Sequence, residues 1–77
     1  MSKRVALGRA IKAIREAKGL SGSKVATDAL MSHSHLVNIE ADRRNANQEA
    51  IPLLAAALGV DIDAISYEVA VETKAAA

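Results

Sequence analysis

Met31-Ser32-His33-Ser34-His35-Leu36-Val37-Asn38-Ile39-Glu40 is the stretch whose reading decides the fold. Met31, Leu36 and Ile39 suit one buried side of a helix. Ser32, His33, Ser34, Val37 and Asn38 make a different side. That side is not simply charged and solvated. It carries short hydrogen-bonding groups and one branched apolar group, the side chains that read base edges. The expectation is a helix lying in the major groove of DNA. The residues before it build a platform, and the residues after it brace the platform or bring in a second copy.

Working backwards, Ser32 is a natural cap for this third helix, which is expected over 33–41. Leu30-Met31 makes a short turn. A second helix is expected over 22–29, capped by Ser21, with Val25, Ala26 and Ala29 turned inward. Two short helices with so brief a connection form the helix-turn-helix pattern. Before them, Leu7, Ile11 and Ile14 recur at helical spacing beside Ala10 and Ala17, predicting a first helix over 4–18. Gly19 is a natural left-handed terminator and Leu20 folds back on the last turn. Gly8 weakens that helix by about 1 kcal/mol relative to Ala.

Working forwards, 42–47 is polar and reads as a loop. Ile51, Leu54, Ala55 and Leu58 mark a fourth helix. Pro52 is harmless only in a first turn, so the helix begins near Glu49 or is kinked at Pro52. Gly59 ends it. Asp61 caps a short fifth helix carrying Ile62 and Ile65 inward. From Tyr67 to Glu72 apolar and polar residues alternate, which suggests a strand. A lone strand would pair with a partner's strand or fray; an unstructured tail is the other reading, and the expected one for 73–77. The expectation is an all-α, five-helix domain over 1–66, with 67–77 as a tail that is either a dimerisation strand or unstructured.

Composition agrees with one small helical domain. The chain has 77 residues, no Cys, Phe or Trp, and Tyr67 as its one aromatic residue, so the core is aliphatic and neither disulfides nor thiolate metal ligands are available. The net charge of +1 hides an asymmetry. Residues 1–44 carry nine Lys/Arg against four acids, a balance of +5; residues 45–77 carry one Lys against five acids, a balance of −4. One end suits a polyanion and the other does not. The N-terminus, charged at 3, 4, 9, 12 and 15, does not read as a signal peptide, and the apolar run from Ala50 to Val60 is too short to span a bilayer. A cytoplasmic location and no membrane partner are expected.

Leu7-Gly8, Ile11, Arg15-Glu16, Gly19-Leu20-Ser21, Ala26, Ser32, Leu36, Ile39-Glu40, Arg43-Arg44-Asn45 and Leu58-Gly59-Val60, in register and without gaps over about 7–65, resemble the Cro/repressor (XRE-like) helix-turn-helix family. The resemblance implies five helices, a DNA-reading pair formed by helices 2 and 3, and a dimer on a two-fold operator. It also implies an ion pair between Arg15 and Glu40 that ties helix 1 to the end of helix 3. Three positions depart from the family pattern. Gly22 stands where a Gln often contacts the phosphate backbone, Leu30 where Gly usually makes the turn, and Pro52 where an aliphatic residue is usual. A Leu with positive φ would be strained, so the turn is expected to differ or helix 2 to run longer.

Asn38 is the strongest base-reading candidate, because its amide donates and accepts at once and so matches adenine N6 and N7. His33 and Ser34 open the helix towards the groove, and Val37 suits a thymine methyl. Ser21, Gly22 and Ser23 sit at a helix N-terminus, where amides and dipole favour phosphate. His35, Arg43 and Arg44 are further phosphate candidates, while Lys3, Arg4 and Lys24 add general attraction. Each of these has a plain surface or core reading beside the functional one. His33 and His35 do not suit a metal site, since residues two apart on a helix diverge and no acid or thiol lies at ligand spacing. Nucleophilic chemistry lacks an orienting third group. The expected function is sequence-specific DNA binding by a small phage or prokaryotic repressor, with double-stranded DNA and a second copy as partners, no cofactor, no evident small-molecule effector and no enzymatic activity. The alternative is an antitoxin or accessory protein of the same fold that acts through a protein partner.

Overall fold

The structure is a computed structural model, and it describes residues 2–70. The elements in chain order are strand β1 (Ser2–Ala6), helices α1 (Gly8–Ala17), α2 (Gly22–Asp28), α3 (His33–Glu40) and α4 (Ala50–Leu58), a 3₁₀ turn (Ile62–Ala64), and strand β2 (Ser66–Ala70). Among the described residues there are thus four α-helices, not five. The segment expected as a fifth helix is a single 3₁₀ turn, in which Asp61 Oδ1 accepts from the Asp63 amide at 3.1 Å. It still delivers a fully buried Ile65.

The larger correction lies at the two ends. The first helix starts at Gly8 rather than residue 4, because Ser2–Ala6 is a strand antiparallel to Ser66–Ala70. The register pairs Lys3 with Val69, Arg4 with Glu68 and Val5 with Tyr67. The described part of the strand expected over 67–72, Tyr67–Ala70, therefore finds its partner within its own chain, and the fold is not all-α. Residues 71–77 lie outside the described residues, as does the expectation of an unstructured 73–77.

The core is aliphatic. Ile11 from α1, Val25 and Ala26 from α2, Leu36 and Ile39 from α3, and Ile51, Leu54 and Leu58 from α4 are all buried, with Ile65. Each large aliphatic side chain contributes about 1.5–3 kcal/mol by leaving water. The stripe expected on α1 is narrower than its periodicity: Ile11 is fully buried, Ile14 is half-buried and Leu7, standing outside the helix as its N-cap, is exposed. Pro52 is the third residue of α4, where its missing amide costs no intrahelical bond. Asn47 Oδ1 accepts from the Ala50 amide at 2.8 Å and opens that helix.

All four α-helices end in the same way. A residue with positive φ follows the last turn: Gly19 (69°), Leu30 (61°), Asp42 (60°) and Gly59 (71°). In each case two amides reach back to the helix: Gly19 to Glu16 and Leu20 to Arg15, Leu30 to Thr27 and Met31 to Ala26, Asp42 to Ile39 and Arg43 to Asn38, Gly59 to Ala56 and Val60 to Ala55. These are Schellman hooks, which satisfy the last carbonyls and reverse the chain. Leu30 thus keeps the left-handed geometry that usually belongs to Gly. The turn is not remodelled, and α2 stops at Asp28 rather than running longer.

Candidate nucleic-acid interface

The α2–turn–α3 unit is built by its caps and its buried faces. Ser21 Oγ accepts from the Lys24 amide and Ser32 Oγ from the His35 amide, each at 3.1 Å, so each helix begins where its serine stands. Val25 and Ala26 on one helix and Leu36 and Ile39 on the other are buried, which fixes the roll of both.

Burial then decides what α3 presents. His33 and Ser34 are exposed, Val37 is 45% exposed and Asn38 is half-buried. These four lie along one stripe, opposite Leu36 and Ile39. An exposed Val in the middle of such a stripe gains nothing for the isolated fold. His35 does not join them. It is half-buried and lines a separate groove with Leu30, Met31, Asn47, Glu49 and Leu53.

Gly22 has a local explanation. A Cβ built there would stand 2.6 Å from His33 Nε2, so the start of α2 leaves room for the His33 ring. In the fold, Gly22 is the space that seats another side chain. Gly8 is similar. It is the first residue of α1, and a Cβ there would collide with the Ile39 carbonyl oxygen. The end of α3 can approach α1 only because that atom is missing, so this glycine permits packing rather than merely weakening a helix.

Arg15 and Glu40 form a forked ion pair. Nε donates to Oε2 at 2.7 Å and Nη2 to Oε1 at 3.1 Å, while Nη1 donates to the Leu20 carbonyl at 3.0 Å. The side chains are 16% and 7% exposed. The hydrogen bond to Glu40 chiefly raises the Arg15 pKa above its ordinary value; burial opposes it. The pair therefore locks α1, the turn after α1 and the end of α3 at a fixed tilt.

The cations sort into two groups. Arg4 is engaged by Asp63 at 2.8 Å and Glu68 at 3.6 Å, Lys24 by Asp28 at 3.2 Å, and Lys18 Nζ donates to the Leu58 carbonyl at 2.8 Å. These serve the fold. Among the described residues, Lys3, Arg9, Lys12, Arg43 and Arg44 have no ion-pair partner. Arg9, Arg43, Arg44 and Asn45 line one open groove of about 410 Å³ with Leu7, Asp42 and Tyr67. Lys12, Val37 and Arg43 meet in another. Arg9, Lys12, Arg43 and Arg44 thus gather around the C-terminal end of α3 with Asp42 among them, while Asp63 and Glu68 of the acidic second half lie against Arg4. Nothing in the sequence singles out Arg9 or Lys12; what marks them is that neither has an ion-pair partner among the described residues. Ser21 and Ser23 are exposed at the start of α2. Among the described residues no cluster of His, Cys, Asp or Glu suits a metal ion, and no helix is long and apolar enough to cross a membrane.

Two short capped helices, joined by a left-handed turn and with one helix's polar stripe left open, define a helix-turn-helix domain. The helix-turn-helix family model matches residues 11–65. The immunity repressor protein of Bacillus phage phi105 is 39% identical over 62 residues, which cover 80% of this chain and 43% of that repressor. The chain thus spans less than half the length of this relative. Among solved structures, the restriction-modification controller protein C.AhdI from Aeromonas hydrophila is similar with a TM-score of 0.71 and 30% identity, over 74% of this chain and 86% of that one. The master regulator for biofilm formation SinR, solved in complex with DNA, has a TM-score of 0.68 and 30% identity, over 75% and 97%. The chain belongs to this XRE-like helix-turn-helix family.

Proposed function

We propose that the chain is a sequence-specific transcriptional regulator of the small phage or prokaryotic repressor type. It binds a two-fold operator as a homodimer and blocks polymerase sterically. α3 lies in the major groove. His33, Ser34, Val37 and Asn38 address base edges, while Ser21, Gly22, Ser23, His35, Arg43 and Arg44 flank them at the phosphates. The two copies occupy half-sites about one helical turn apart. The second copy docks through the α4 side or through the end of the chain that includes β2.

The observation that carries this reading is the α3 stripe. Its polar groups and Val37 are open beside Arg43 and Lys12, which have no acidic partner among the described residues, while the opposite side of the same helix is buried. Salt titration with duplex DNA tests it. Phosphate-driven binding weakens linearly in log–log form as salt rises, and specific duplex outcompetes random duplex by about a thousandfold or more. Binding that ignores salt and sequence would instead favour a domain that works through a protein partner.

A further inference from the structure

Asn38 does not stand alone on the stripe. Arg43 Nη1 donates to its Oδ1 at 3.3 Å. The contact is organised by the backbone as well. Asp42 takes a left-handed conformation, and the chain folds back so that the Arg43 amide donates to the Asn38 carbonyl at 2.9 Å and the Arg44 amide to the same oxygen at 3.3 Å. The Schellman hook that ends α3 is thus the device that brings a guanidinium to the Asn38 side chain. It does so five residues on, without help from any other element.

This changes what the Asn38 amide offers. A free carboxamide both accepts and donates, which matches the N6 donor and N7 acceptor of adenine. Here a charged donor occupies one of the two lone pairs of Oδ1, so the Asn38 side chain keeps both hydrogens of Nδ2 but only half of its accepting capacity. The remaining donors of the Arg43 fork lie beside it. A neighbouring positive charge also repels the adenine N6 amino group and attracts acceptor oxygens and nitrogens. Guanine is the base whose major-groove edge shows two acceptors, N7 and O6.

Building on the proposed reading of α3, we infer that Asn38 and Arg43 act as one donor-rich unit that selects guanine, with Arg43 as the specificity-determining residue that sets the orientation of the Asn38 amide. Arg43 is therefore more than a phosphate clamp. Its guanidinium neutralises charge, and it also decides which base its neighbour accepts.

The test starts from sites selected from random duplex by the full chain. The Asn38→Ala protein identifies the position whose preference depends on Asn38. Duplexes carrying each base at that position are then titrated with the wild-type chain and with Arg43→Ala. Arg43 is exposed, outside every helix and strand, so the variant keeps the fold; a melting curve verifies this. The wild-type chain is expected to prefer guanine over adenine there by roughly tenfold or more. In Arg43→Ala that ratio falls towards one or turns to adenine, while preferences at other positions persist. A wild-type preference for adenine, or an Arg43→Ala protein weakened equally on every sequence with the salt slope reduced by about one, overturns the inference and leaves the DNA-reading helix intact. Absence of sequence preference at every position overturns both.

Discussion

Gln48 closes the outer edge of β1 by pairing with both backbone groups of Arg4. Its Oε1 accepts from the Arg4 amide at 2.7 Å, and its Nε2 donates to the Arg4 carbonyl at 2.6 Å. One side chain thus does what a neighbouring strand would do, at the residue whose amide and carbonyl point away from β2. An open strand edge is a template for pairing with another chain, so the loop before α4 shields the sheet as well as connecting helices. In Gln48→Ala we expect faster amide exchange at Arg4 and a loss of about 1–2 kcal/mol, read by hydrogen-exchange NMR and denaturant melting. Unchanged exchange at Arg4 would show that the edge is not protected by this amide.

Glu40→Gln should destabilise the fold and weaken DNA binding together. The carboxylate is nearly buried under the Arg15 fork, and removing it strands a guanidinium, costing about 3–5 kcal/mol in a buried setting. For a domain of this size each kcal/mol corresponds to roughly 4–8 °C in melting temperature. The pH dependence has a definite sign. A raised arginine pKa gives stability that is present below the ordinary arginine value and lost only as pH rises past the raised one. This pair should therefore contribute no loss of stability between pH 7 and 10, which a series of melting curves checks.

Leu30→Gly should stabilise the protein. Leu30 holds φ at 61° and is 80% exposed, so it bears left-handed strain and contributes almost no burial. Glycine relieves strain of about 1–2 kcal/mol and forfeits little packing. Thermal melting reads the gain. A fall in melting temperature would mean that the Leu30 side chain has a partner in the folded protein.

Gly22→Ala separates stability from recognition. Alanine at the first residue of α2 favours the helix by several tenths of a kcal/mol, but its Cβ intrudes on the His33 ring. The ring is the free end of a side chain and can swing away, so melting temperature should hold or rise. DNA affinity should fall several-fold, as measured by anisotropy, because His33 leaves its place on the stripe. Equal affinity would remove His33 seating from the recognition account.

The helix-turn-helix pair was legible because its signals are local: Ser21 and Ser32 as caps, Leu36 and Ile39 as a buried side, Gly19 and Gly59 as terminators. The remaining features are set by contacts distant in sequence. Strand β1 reads as the start of a helix until its partner near the other end of the chain, with Tyr67 beside Val5, is known to lie against it. The fifth helix shrank to a 3₁₀ turn because only Ile62–Ala64 separates Asp61 from the residues that enter β2. Leu30 and Asp42 carry no glycine signal, so the hooks they form became visible only as backbone angles. For the candidate site, the sequence named the stripe residues one by one. It held no trace of the contact between Arg43 and Asn38, nor of Gly22 as the seat of His33, since both depend on how a turn aims a side chain.

The central claim is that the open side of α3 reads DNA sequence, and selection of bound duplexes from a random pool by the full chain tests it most directly. We expect enrichment of a two-fold motif with half-sites about one helical turn apart, and loss of preference at one position per half-site when Asn38 is replaced by alanine. A pool that stays random after repeated rounds, or a motif indifferent to His33, Ser34, Val37 and Asn38 alike, would contradict it.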